Sequence, residues 1–369
     1  MKITVAGDFC PQHRVADLFN KGDFPTVLGE VKAALEESDY ALVNFECPVC
    51  QGEEEPICKF GSNLQCTPSG MEAIKWAGFN CVTLANNHFL DYGSEGVANT
   101  LKFCKEIGID YVGGGMNITE ASQILYVGNI AIVNCCEHEF SIASDFTAGS
   151  NPLNPIKQYN SIKEARTKAD YVLVIVHGGH EHWQLPSTRM RETYRFFIDA
   201  GADAVVNHHQ HCFSGYEIYN GKPIFYGLGN FCFDKSRKKR DTWYEGYMLQ
   251  LDFSETICFN IIPYIQCKDK PTVSLLSPTC YNEKIESLNS IIADIDSLKK
   301  QQEQYYLTSS KSYLNIFEPL NNRLYLALKH RGLVPSLITT KRILRAMDYV
   351  YCEAHRDKLS YLLSNFVKS

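Results

Sequence analysis

The chain has 369 residues, 45% of them hydrophobic and 21% charged, the composition of an ordinary globular protein with room for one large core and an appendage. Its 36 basic and 42 acidic residues leave a net charge of −6, which offers no general surface for nucleic acid. No stretch approaches the ~18 uncharged apolar residues of a membrane span.

The start, Met1-Lys2-Ile3-Thr4-Val5, runs straight into an apolar strand, so no signal peptide is expected. The 15 cysteines are scattered without regular spacing and read as reduced thiols, which makes a cytoplasmic location the expectation. Short β-branched runs then alternate with amphipathic stretches. Strands are predicted at Lys2–Ala6, Tyr40–Phe45, Asn80–Leu84, Ile124–Asn134, Tyr171–Val176, Ala204–Asn207, Ile224–Tyr226 and Gly246–Phe253. Helices are predicted near Thr26–Glu37, Ser69–Ala77, Gly93–Ile107 and Thr188–Ala200. Such alternation predicts a layered α/β fold, in which ligands gather at the carboxyl ends of strands.

From about residue 281 the pattern changes. Ile285, Leu288, Ile292, Ile295 and Leu298 recur at helical spacing, and Lys341–Phe366 repeats the habit. An α/β domain over 1–270 followed by a helical C-terminal extension over 281–369 is therefore expected. Gln301–Lys311 reads as a polar linker and Leu333-Val334-Pro335 as a break. The apolar repeat is too short for a coiled coil, so packing on the core is expected. Nothing in the sequence sets the oligomeric state.

Polar residues able to hold a metal stand at the predicted strand ends. Asp8 follows the first strand, Glu46 the second and Asn86-Asn87-His88 the third. His177 ends Tyr171–Val176, and His208-His209-Gln210-His211 follows Ala204–Asn207. Each alone could be a cap or turn residue, but the recurrence argues for a site. Eight of the 11 histidines fall between positions 88 and 211, and neutral imidazole is the commonest metal ligand. The mixed oxygen and nitrogen donors suit one or two divalent ions, Mn, Fe or Zn, in a catalytic rather than a structural site. Were there two, a bridging carboxylate would be needed, and Glu46 is the best candidate.

The segments Gly7-Asp8, Asn44-Phe45-Glu46 and Leu84-Ala85-Asn86-Asn87-His88-Phe89-Leu90-Asp91-Tyr92-Gly93 resemble the CapA family of polyglutamate-capsule proteins. His177-Gly178-Gly179-His180-Glu181 is similar to that family's H-x-G-x-E segment, and the stretches 201–211 and 221–231 follow in the right order. The resemblance covers about residues 2–255. It implies a calcineurin-like metallophosphoesterase fold, a four-layer α/β/β/α sandwich with two metals at its edge. It implies that Asp8 and His211 hold the first metal, that Glu46 bridges, and that Asn87, His177 and His209 hold the second. His88 would then act beside the substrate as a protonating or charge-stabilising group. Asp91 would orient His88, a role at a helix N-terminus being the alternative.

The chain departs from the superfamily's D-x-H pattern by reading Asp8-Phe9-Cys10. Cys10 is either a soft ligand or, the weightier reading, a small buried hydrophobe. The membrane anchor that family members often carry is not expected. Glu181, Asn230 and Arg189, with Arg191, are candidates to reach a substrate anion from the rim, although helix-borne arginines are more often solvated. Cys47-Pro48-Val49-Cys50 is a lone C-x-x-C and weak evidence for zinc or redox work. The run Lys235-Ser236-Arg237-Lys238-Lys239-Arg240 is by default a surface turn, and by its place after Asn230 could receive a polyanion.

The function expected is a metal-dependent hydrolase of a phosphoester or related anionic bond in cell-envelope or capsule polymer metabolism. Its substrate would be an anionic small molecule or polymer, with no nucleic-acid partner. Two readings stay open beside it: a non-catalytic capsule or polyglutamate biosynthesis component with a vestigial metal site, and a γ-glutamyl amide hydrolase.

Overall fold

The computed structural model describes residues 1–59, 61–314, 318–320, 322–351 and 363. Of the helical stretch predicted over Lys341–Phe366, residues 352–362 and 364–366 lie outside the described residues.

In chain order the first strands are β1 (Lys2–Phe9), β2 (Tyr40–Phe45), β3 (Cys81–Thr83), β4 (Asp110–Val112) and β5 (Gly114–Gly115). Then come β6 (Leu125–Val127), β7 (Ile130–Cys136), β8 (Gly149–Ser150), β9 (Tyr171–His177) and β10 (Ala204–His208). The remaining strands are β11 (Tyr216–Tyr219), β12 (Lys222–Phe225), β13 (Asn230–Cys232), β14 (Glu245–Asp252), β15 (Cys258–Gln266) and β16 (Val273–Leu275). One sheet runs β16-β15-β14-β1-β2-β3-β4, with β13 also paired to β1. A second runs β11-β12-β10-β9-β7-β6, and β5 pairs with β8.

The strand β2 is buried along its whole length and β1 at all but its first residue, as parallel strands covered on both faces must be. Successive residues then serve different layers. Ala6, Val43 and Val82 face the helices Phe24–Leu35, Pro68–Ala77 and Gly93–Ile107, meeting Leu28, Ile74 and Val97 among others. Their neighbours Ile3, Val5 and Leu42 face the second sheet, packing with Ile130, Ile132, Leu173, Ile175 and Val206. The outer face of that sheet, through Val133, Val172, Val174 and Val205, covers Ile162 of the helix Pro155–Lys168 and Met190, Tyr194 and Phe197 of the helix Thr188–Ala200. The order of layers is α/β/β/α, the four-layer sandwich.

Three expectations are corrected in detail. The run Ile124–Asn134 is a hairpin of β6 and β7, because Gly128 takes a left-handed turn conformation at φ +58°. The Gln301–Lys311 segment is no linker: the helix Ile295–Leu314 continues through it, as its good helix formers allow. The chain divides into compact units Met1–Lys299 and Lys300–Ser369, so the helix Asn282–Ala293 belongs with the α/β unit. There Ile285, Ile292 and Leu298 are buried in its core. In the second unit Glu318 accepts hydrogen bonds from Ser336 Oγ at 2.5 Å and from the Leu337 N–H at 3.0 Å. Among the described residues no helix is long and apolar enough to cross a membrane.

Two glycines on this frame behave oppositely. A Cβ on Gly7 would stand 1.9 Å from the Gly229 carbonyl oxygen, the acceptor of the Asp8 N–H at 3.1 Å. Gly29, inside the helix Phe24–Leu35, has nothing within 4 Å of such an atom. Gly7→Ala should cost about 1–3 kcal/mol through overpacking. Gly29→Ala should gain about 0.5–1 kcal/mol through a stiffer unfolded chain and better helix propensity. Urea unfolding midpoints check both, and equal midpoints for the two variants would refute the account.

Candidate metal centre

The carboxyl ends of β1, β2, β9 and β10 meet at one edge of the sandwich, and the register fixes what they deliver. Asp8 is level with Asn44, the residue two before Glu46, and His177 is level with His208. The turn after β3 brings Asn87 and His88 to the same edge.

The ligating atoms converge on two adjoining positions. Glu46, His177 and His209 form one buried group, and Asp8, Glu46 and His211 form another, with the atoms of each group within 4.8 Å of one another. Glu46 is common to both. Its Oε1 lies 3.6 Å from His177 Nε2 and 3.8 Å from His211 Nε2. Asn87 Oδ1 stands 3.0 Å from His177 Nε2, which is 3.0 Å from His209 Nδ1. Asp8 Oδ2 is 3.5 Å from His211 Nδ1 and accepts the His209 backbone N–H at 3.3 Å. The Asn44 amide donates to Asp8 Oδ1 at 2.7 Å and lies 3.2 Å from His177 Nδ1.

The buried acids carry the test of whether a cation belongs here. Both oxygens of Glu46 are buried without a hydrogen-bond partner, a state that costs heavily unless a cation supplies one. Burial, and then the charge of Asp8, push the Glu46 carboxyl well above its ordinary value. Burial raises Asp8 too, but its bond to His211 and the charge of His208 outweigh it and hold the carboxyl below the usual value. Burial and the imidazoles of His209 and His208 hold His177 well below its usual value, in the neutral form that ligates metal. These residues fit a divalent ion, and the cluster could hold one.

Backbone strain marks the same place. His209 and His211 adopt φ +90° and φ +54°, conformations that cost a non-glycine residue about 1–3 kcal/mol each. The surroundings hold both rings. Asn230 on β13 accepts from His211 Nδ1 at 2.9 Å and donates to the His211 carbonyl at 3.2 Å. Glu139 accepts from Asn87 Nδ2 at 3.2 Å, turning the amide oxygen toward His177, and its Oε1 lies 3.8 Å from His209 Nε2. Such outer partners fix the orientation of ligands.

A cleft of about 360 Å³ opens over the centre, lined by His88, Asn87, Glu181, His211, Lys59, Lys235, Lys239 and Trp243 among others. His88 Nδ1 is 2.6 Å from Asp91 Oδ2, which leaves Nε2 as its free edge. Burial lowers the His88 imidazole, and the Asp91 carboxylate opposes that shift. Asp91 also takes Lys59 as an ion pair and the Leu64 N–H at 2.6 Å. The residue that caps the helix Gly93–Ile107 is Tyr92, so Asp91 serves His88 rather than the helix. Burial raises the carboxyl of Glu181, but the imidazoles of His211 and His209 hold it below its usual value.

The other candidates lie elsewhere. Asn230 is fully buried on His211 and does not line the cleft. Arg189 reaches Glu137 at 2.5 Å, and Arg191 stands 3.6 Å from Glu217; neither lines the cleft. Cys10 packs with Phe9 and Phe45 in the apolar core, outside both ligand groups. The described cysteines, Cys47 and Cys50 among them, are free. Glu139, Lys59 and the buried His208, 3.5 Å from Asp8, are neighbours of the centre to which the sequence reading gave no role. Glu139 follows the end of β7, and the strand-end argument reaches it once β7 is extended to Cys136.

The chain is similar to known proteins. The family described as "Bacterial capsule synthesis protein PGA_cap" matches residues 2–235. The "Capsule biosynthesis protein CapA" of Bacillus anthracis is 35% identical over 248 residues, 64% of this chain and 60% of that protein. The "PGA biosynthesis protein CapA" of Bacillus subtilis (strain 168) is 31% identical over 259 residues, 68% of each. A Mycobacterium tuberculosis relative bearing the name "Probable polyglutamine synthesis accessory protein" is 26% identical over 226 residues, 55% of this chain and 58% of the relative. The match thus spans about three fifths of the Bacillus anthracis protein's length. By the family match over residues 2–235, the chain belongs to the PGA_cap family of bacterial capsule synthesis proteins, the CapA family.

Proposed function

We propose that the protein is a metal-dependent hydrolase that cleaves a phosphoester or related anionic bond in the metabolism of a capsule or cell-envelope polymer. The observation that carries this reading is Glu46, a fully buried carboxylate with neither oxygen hydrogen-bonded, common to two groups of metal-capable side chains. The names of the relatives, capsule biosynthesis and PGA biosynthesis proteins, support the polymer context.

In this reading Asp8 and His211 hold one cation, Asn87, His177 and His209 a second, and Glu46 touches both. Cations of the Mn, Fe or Zn kind would supply Lewis-acid polarisation and activation of water. The chain's own work is positional. Asn44, Glu139 and Asn230 fix the ligands Asp8, Asn87 and His211 through the hydrogen bonds given above. His88, with Nδ1 engaged by Asp91, lines the cleft, and its imidazolium form would donate the Nε2 proton to the leaving oxygen and return to the neutral ring.

The resemblance of the sequence to polyglutamate-capsule proteins favours a second reading, hydrolysis of a γ-glutamyl amide by the same centre. Activated water attacks a carbonyl as well as phosphorus. Parallel turnover assays on phosphoesters and γ-glutamyl amides separate the two.

Elemental analysis of the purified protein should find Mn, Fe or Zn. Asn87→Ala and His209→Ala should each lose the metal and the activity while far-UV circular dichroism stays native. Metal-free native protein that no added ion activates would overturn the reading. His88→Ala should keep its metal and lower kcat by about 10²–10⁴-fold, the usual worth of a general acid. An unchanged kcat would remove His88 from the chemistry.

A further inference from the structure

The cleft contains two lysines that the metal centre does not use. Lys235 and Lys239 both line it, whereas Arg237, Lys238 and Arg240 of the same basic run do not. The ammonium of Lys235 lies 4.2 Å from the centroid of the Phe233 ring and 5.3 Å from that of Trp243. The ammonium of Lys239 lies 5.0 Å from the Trp243 ring. Phe233 is 1% and Trp243 5% exposed, so the two rings form a fixed shelf beneath both cations. Trp243 is held further by its Nε1–H, which donates to the Phe233 carbonyl at 3.2 Å.

Lys59 is engaged in its ion pair with Asp91. Among the described residues, neither Lys235 nor Lys239 has a carboxylate within 4.0 Å. The charge of Lys235 nonetheless reaches Glu46 and Glu181, which places the shelf beside the centre. Of the basic run, Lys235 alone is half-buried, and the rest is exposed. An aromatic face attracts an ammonium without neutralising it, so it holds a cation in place with its charge still available to a ligand. Ammonium groups are point charges that impose charge more than shape. Two of them spread over a shelf suit charges spaced along a chain better than one compact anion.

We propose that Lys235 and Lys239, seated on Phe233 and Trp243, form an anion subsite that binds a second negative group of the substrate, away from the bond that is cleaved. The ligand class is a flexible oligomer bearing carboxylates at intervals. The proposal rests on the hydrolase reading only for what lies next to the subsite; binding at the shelf stands or falls separately.

Calorimetric titration of the full-length protein with a γ-linked glutamate pentamer tests it, with acetate and inorganic phosphate as single-group probes. The pentamer should bind about tenfold or more tighter than either probe, should weaken as salt screens it, and should perturb Trp243 fluorescence. Lys235→Ala with Lys239→Ala should weaken pentamer binding by about tenfold or more, whereas Arg237→Ala with Lys238→Ala, equal in charge removed, should leave it within about twofold. Equal losses in the two double variants, no loss in the first, or probes that bind as tightly as the pentamer would each overturn the subsite. Lysine-dependent binding by a metal-loaded protein that hydrolyses neither class of bond upholds the subsite and sinks the hydrolase reading. Hydrolysis without lysine-dependent binding does the reverse.

Discussion

Two carboxylates taken out of water beside each other set the terms for everything at this edge of the sandwich. Burying a charged group costs several kcal/mol unless partners replace the lost solvent. Asp8 has its replacements: the Asn44 amide, the His209 backbone N–H and the rings of His208 and His211. Glu46 has none, and the negative charge of Asp8 works against it. The chain by itself resolves this conflict only by keeping Glu46 protonated. Asp8 and Glu46 could instead hold a divalent cation, which would supply Glu46 with the partner it lacks.

That demand explains why the site stands where it does. Parallel strands end together, so side chains at or just past the ends of β1, β2, β9 and β10 reach one place without long loops. The layers behind them are packed through Val5, Leu42, Leu173 and Val206, which fixes the two sheets against each other. Gly7 lets the Gly229 carbonyl lie close against β1, and the next strand from that segment carries Asn230 to His211. The left-handed backbone at His209 and His211 is the residual cost of aiming two rings from one short turn. Packing of the layers meets that cost, and the ligand geometry depends on it.

Much of this was legible in the sequence because it is carried by period and position. Alternating β-branched runs announced the strands, and polar residues at their ends announced the site. What stayed hidden depended on contacts distant in sequence or on local backbone choices. Gly128 turns one apparent strand into a hairpin, and the wrong end of that strand concealed Glu139. The helix Pro155–Lys168 is highly polar, so its signal lay in its start, where Asn154 accepts from the N–H groups of Ile156 and Lys157 ahead of the helical periodicity. Asn230 was recognisable as part of a motif, but only the pairing of β13 with β1 shows that its amide turns inward to a ligand. Lys59 sits 32 residues before Asp91, and no spacing rule connects them.

Asp91 shows how closely the cleft and the scaffold are joined. Its carboxylate receives His88, Lys59 and the Leu64 N–H, and its backbone carbonyl receives the Ile57 N–H at 2.9 Å and the Asn63 amide at 2.9 Å. The described residues of the segment carrying Ile57, Lys59, Asn63 and Leu64 form no strand or helix, so these bonds are their anchorage. The cation of Lys59 is spent there, beside the ring it helps to place. Within one cleft, then, burial distinguishes two kinds of lysine. The Lys59 side chain is only 3% exposed and must have its carboxylate, whereas Lys235 and Lys239 rest on aromatic faces that leave their charge for an incoming anion.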